Sequence, residues 1–148
     1  MNRRHFVAAA LAAALAGTFS PLARSEPPVS DLMPADVKWK DSPFPGVQTA
    51  VISGDPTQAG LYVVRAKYGP GAKVMPHTHP DTRYDTVLSG ELYFGFGETF
   101  DPSNTKLYPA GAQINVPANM PHFALVKNGE AVLQEVGIGP SATTAYKK

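Results

Sequence analysis

From Gln48 onward the chain is a succession of apolar-rich runs three to eight residues long, separated by glycine, proline, asparagine and serine. The runs are Thr49–Ile52, Leu61–Tyr68, Thr86–Leu88, Glu91–Phe96, Gln113–Val116, Phe123–Val126 and Ala131–Val136. They are rich in valine, isoleucine, tyrosine and phenylalanine, whose side chains suit a pleated, half-buried surface. Asn128-Gly129 between two such runs is a hairpin signal, because both residues accept the positive φ of a tight turn. No stretch of ten or more residues after residue 30 shows helical periodicity. These features predict an all-β domain, an antiparallel sandwich or barrel.

The first 25 residues read differently. Arg3-Arg4 precede an alanine-rich apolar stretch from Val7 to about Gly17, and Ala23 and Ser25 are the small residues of a cleavage site. The apolar stretch is shorter than the ~20 residues that span a bilayer. The alternative is an N-terminal membrane-anchoring helix. The paired arginines followed by His5-Phe6-Val7 resemble a twin-arginine export signal. Asn2 stands where that class has Ser or Thr, and Val7 where it has Leu. The resemblance implies export of an already folded protein, often one with a cofactor, to the periplasm or beyond. Cleavage is expected after Ser25, leaving no stable membrane insertion.

Cleavage there removes Arg3, Arg4 and Arg24 from 13 basic residues and leaves 12 acidic ones, so the formal charge moves from +1 to −2. Without a basic cluster, nucleic acid is not an expected partner. The chain has no cysteine, so stability in an oxidising compartment must come from the core or from a metal. Residues 26–46 are proline-rich and read as an extended arm. Trp39 and Phe44 are either anchors on a neighbouring surface or part of a mobile linker. Residues 47–148 form the barrel domain.

Once the leader is gone, three histidines remain, and all lie in two similar frames. His77 and His79 are two apart, so in a strand they project to one face. His122 follows a turn of its own, Pro117 to Pro121. An antiparallel barrel can bring that strand beside the first pair, so that three imidazoles share one ion. The alternative is three unrelated surface histidines near turns.

The frames carry a resemblance. Gly71-x5-His77-x-His79-x3-Arg83-x6-Gly90 resembles the first motif of the cupin superfamily, and Gly111-x5-Pro117-x-Asn119-x2-His122-x3-Val126 the second. The 20 residues between them suit small single-domain bacterial cupins. The resemblance spans about residues 47–140 and implies a jelly-roll antiparallel β-barrel of six to eight strands. It also implies a divalent metal (Fe, Mn, Ni or Zn) held by His77, His79 and His122. Homodimers are frequent in that superfamily. Three positions depart from it. Arg83 stands where a metal-ligating Glu is usual, and a guanidinium offers no lone pair. Asn119 replaces a Gly and Val126 an Asn. The expected ligand set is therefore three imidazoles, unless Asp81 or Asp85 joins it.

Three neutral imidazoles leave a divalent ion its full charge and several open positions. With Arg83 nearby, such a pocket is expected to take a small anionic organic molecule, which Arg83 would position as a catalytic residue. Arg83 has an alternative role in a salt bridge to Asp81 or Asp85. Tyr93, Phe94, Phe96 and Phe123 read first as core and second as cavity lining. No phosphate-binding loop, nucleophile elbow or cysteine nucleophile competes. The sequence supports an exported oxidoreductase of the dioxygenase type, or a non-enzymatic cupin that binds a metal and a small ligand.

Overall fold

The computed structural model describes residues 31–146. The expected signal peptide and the first five residues of the arm lie outside them. A three-residue 3-10 turn, Pro34–Asp36, precedes eleven strands: β1 Lys40–Asp41, β2 Val47–Ser53, β3 Gly60–Tyr68, β4 Lys73–Thr78, β5 Arg83–Ser89, β6 Glu91–Phe96, β7 Lys106–Pro109, β8 Gln113–Val116, β9 His122–Leu125, β10 Ala131–Gly139 and β11 Thr144–Ala145. They form two antiparallel sheets, ordered β1-β2-β3-β10-β5-β8 and β11-β4-β9-β6-β7. The jelly roll expected from the sequence is present. No described helix is long and apolar enough to cross a membrane.

Three strands had escaped the sequence reading. β7 contains only Leu107 and Tyr108 as apolar residues, and β1 and β11 are two residues long. Strands this short have no stability of their own. They exist because β6, β2 and β4 offer them an edge.

The inward face changes character along each strand. On β10, Ala131 and Leu133 are buried in the apolar core, and Glu135 and Gly137 continue the same face. On β5, core Val87 gives way to buried Asp85 and Arg83. On β9 and β4, Ala124 and Val74 belong to the core, whereas His122 and His77 lie beyond it. Antiparallel register brings these changes to one level, pairing Glu135 with Asp85 and His77 with His122. The apolar core gathers around Val87, Leu92, Ala131 and Leu133, and Ile114 and Val116 carry it along β8 to the level of Asp85 and Arg83. Each buried Val, Leu or Ile side chain contributes roughly 1.5–3 kcal/mol.

The arm is partly built into the fold. β1 pairs with the edge of β2. Lys67 places its Nζ 4.7 Å from the centre of the Trp39 ring, and Phe44 packs against the core.

Candidate metal centre

The strand that carries the first two histidines contains a bulge. Val74 pairs with Ala124, but His77 pairs with His122, so three steps on β4 match two on β9. The extra residue switches the alternation, turning both Val74 and His77 inward. His79 lies one residue beyond β4, and its carbonyl accepts a 2.7 Å bond from the Asn119 amide. Asn119 has φ +61. This is the left-handed region that asparagine enters more readily than most residues. Asn119 is therefore accommodated at a position that favours Gly.

His77, His79 and His122 are all buried, and their ligand nitrogens lie within 4.8 Å of one another. Ring centroids are 4.8 Å apart for His77–His79, 4.2 Å for His77–His122 and 5.1 Å for His79–His122. Each Nδ1 faces a backbone carbonyl: Met75 at 2.9 Å for His77, Ala142 at 2.8 Å for His79 and Met120 at 2.8 Å for His122. A carbonyl only accepts, so each Nδ1 must carry the proton and each Nε2 keeps a lone pair. Burial pushes all three rings toward the neutral form, His79 to about 2 and His122 to about 3. Neutral rings with a satisfied Nδ1 are the state in which imidazole binds a metal. The donor set fits a divalent ion without further rearrangement of protons.

Flanking rings fix the positions of the ligands. Phe94 stacks on His122 with centroids 5.3 Å apart and planes 13° from parallel, and Phe44 lies 5.3 Å from His77. Phe94 and Phe123 are core residues, and Phe96 is exposed. None of the four aromatics singled out in the sequence lines the cavity; its aromatics are Phe44 and Tyr68.

Arg83 is buried and engaged. Nη1 meets Glu135 Oε2 at 2.5 Å, and Nη2 donates to Ser141 Oγ at 2.8 Å. Asp81 Oδ2 lies 3.7 Å from Nε. The salt bridge that the sequence offered as an alternative is therefore present, but its close partner is Glu135, 52 residues away. Neither Asp81 nor Asp85 belongs to the metal-ligating group. The Asp81 carboxylate accepts bonds from Tyr62, at 2.5 Å, and from Ser141. Asp85 Oδ1 is buried with no hydrogen-bond partner. Burial, with Glu135 opposite, pushes the Asp85 carboxyl well above the usual range, which favours its protonated form. Gly137 leaves room for this network: a Cβ there would sit 2.5 Å from both Asp81 Oδ2 and the Tyr62 hydroxyl.

The site opens into a cavity of about 590 Å³ lined by His77, His79, Arg83, Glu135, Phe44 and Val64 among others. The C-terminal segment forms part of its wall. Ser141 bonds Arg83 and Asp81, Ala142 bonds His79, and β11 pairs Ala145 with His77. The sequence reading missed Glu135, Tyr62, Tyr68 and this segment. Glu135 was detectable in principle, because it shares the two-residue parity of Ala131 and Leu133. Ser141 and Ala142 carry no such signal.

No protein-family model and no curated protein sequence matches the chain. Solved structures do. The polyketide cyclase RemF from Streptomyces resistomycificus superposes with a TM-score of 0.68 at 17% identity, covering 81% of this chain and 87% of that one. An RmlC-like cupin from Shewanella frigidimarina gives 0.59 at 18% identity, covering 73% and 89%. An oxalate oxidase gives 0.61 at 18% identity, covering 84% and 67%. At these identities the likeness concerns the fold. The chain has the cupin fold, the double-stranded β-helix anticipated from its two motifs.

Proposed function

We propose that this protein is a mononuclear metalloenzyme, an oxidoreductase of the dioxygenase type that acts on a small organic molecule. One observation carries the reading. Three backbone carbonyls take the Nδ1 protons of His77, His79 and His122, leaving three clustered Nε2 lone pairs, with His77 and His79 on the wall of a cavity of about 590 Å³. A divalent ion held there supplies Lewis acidity with open coordination positions and, in the case of iron, redox chemistry with dioxygen. The oxalate oxidase among the structural neighbours lends support to oxygen chemistry on this fold.

The remaining residues hold, orient and exclude. Burial keeps the three imidazoles neutral, so protons compete little with the ion. Phe44 and Phe94 pack against ligand rings and restrict their rotation. Arg83 is a positioning residue: it fixes Glu135 at the cavity wall, where that carboxylate can receive a substrate proton. The Arg3-Arg4 leader supports an exported location, periplasmic or secreted, which fractionation of the native cell tests.

The test of function is oxygen uptake by protein reconstituted with iron, manganese, nickel or zinc, against a panel of phenols, diketones and organic acids. Uptake is expected with iron alone. His122→Ala is expected to abolish both metal retention and uptake. A His122→Ala protein that keeps a full metal complement would contradict the assignment of the centre. Saturable ligand binding without turnover for any metal would point to the non-enzymatic alternative.

A further inference from the structure

The cavity divides into two kinds of wall. On β2, Val47, Thr49 and Val51 pair with Tyr68, Ala66 and Val64, all of inward parity. Inward residues of a closed barrel should be buried, yet Val51 is 56% exposed and Val64 only half-buried. Both line the cavity, together with Phe44, Pro56 and Ala145. This apolar strip is continuous with the centre, because the Phe44 ring lies against His77.

The polar wall has little to offer an anion beyond the ion itself. Both Nη atoms of Arg83 are engaged, by Glu135 and Ser141. Asp81 and Glu135 together outnumber its charge. Arg65 also borders the cavity, but its position on β3 has outward parity and its Nε donates to Gln134 at 3.0 Å. No lysine lines the space. A carboxylate entering beside the histidines would meet a guanidinium already paired with Glu135 and, on the same wall, that like charge, so its desolvation would be poorly repaid.

We infer that the cavity takes a molecule that is uncharged in solution, of hydroxyketone or phenol type, rather than a free carboxylic acid. Its oxygen donors face His77, His79 and His122, and its apolar ring or chain lies along Phe44, Val51 and Val64. The volume lies within the range of pockets that enclose drug-sized ligands. The inference rests on the metal-centre reading and adds the substrate class to it. It differs from the small anionic ligand expected from the sequence.

The test uses the full chain loaded with nickel(II), with metal content measured first. Two probes share one ring system: 1-hydroxy-2-acetonaphthone, a neutral hydroxyketone, and 1-hydroxy-2-naphthoate, its carboxylate counterpart. Titration calorimetry is expected to give the hydroxyketone at least about tenfold tighter binding, the order by which mismatched polar groups are rejected. Val51→Asp, at an exposed position that leaves the core intact, is expected to weaken the hydroxyketone by about tenfold with nickel content unchanged. Naphthoate binding as tightly as the hydroxyketone would overturn the inference, as would saturable binding of neither probe to nickel-loaded protein. Insensitivity of the hydroxyketone to Val51→Asp would also overturn it. In each of these outcomes nickel still loads and the metal centre stands. Failure of nickel to load strikes the metal centre itself, and the substrate class falls with it.

Discussion

A chain ending at Pro140 would keep every histidine and lose the segment that orients one of them. His79 donates its Nδ1 proton to the Ala142 carbonyl at 2.8 Å, and that carbonyl would be gone. Removing the partner that fixes a ligand's tautomer typically costs 10–100-fold in metal affinity, about 1.4–2.7 kcal/mol. The truncation also removes β11, whose Thr144 and Ala145 pair with Thr78 and His77. It takes the Ser141 hydroxyl from Arg83 and Asp81 as well. Leaving buried charged groups short of a bond costs a further ~1–3 kcal/mol of stability. The assay is competition with a chromophoric chelator at neutral pH, with circular dichroism confirming that the sheets persist. Ser141→Ala separates the two effects. It should lower stability with little change in metal affinity, because the Ala142 carbonyl remains. A truncated protein that binds metal within about twofold of the full chain would show that the segment does not position His79.

Other consequences concern pH and packing. The buried rings of His79 and His122 titrate near 2 and 3 when folded, against an ordinary 6.5. Between those values the unfolded chain binds more protons, so stability of the metal-free protein falls as pH drops below about 6.5. The slope approaches ~1.4 kcal/mol per pH unit for each ring. Urea midpoints at pH 7 and pH 5 check this, and equal midpoints would contradict it. The same burial predicts that metal affinity changes little between pH 8 and pH 6, where exposed histidines begin to lose metal to protons. Gly137→Ala forces a methyl group to within 2.5 Å of Asp81 and Tyr62, and is expected to cost about 1–3 kcal/mol by overpacking, read from the thermal midpoint. Asp85 has the opposite sign to the histidines: its raised value makes its contribution favourable in acid and lost as pH rises. Asp85→Asn mimics the protonated form and should raise the midpoint at pH 8 more than at pH 5. A larger gain at pH 5 would refute a protonated Asp85.

The sequence by itself determined the short-range facts. Two-residue alternation and turn residues specified strands, and the Gly-framed motifs specified the cupin fold. The spacing of His77 and His79 placed both rings on one side of the chain. His122 had to come from the second motif, as it does on β9 beside β4. These readings succeed because side-chain direction in a strand depends on parity, which is local. The bulge in β4 was not legible, since only pairing with β9 reveals the extra residue.

Only the tertiary structure decided what the polar groups touch. Arg83 had neighbours of opposite charge two residues away on either side, yet its close partner is 52 residues distant on β10. Ala142, which orients His79, lies 63 residues away on a segment with no pattern of its own. Strand order fixes such partners, and strand order reflects the burial of whole faces rather than the preference of any one residue. The spaced histidines pointed to a cluster that could hold a metal, but the side chains that surround it were chosen by distant strands.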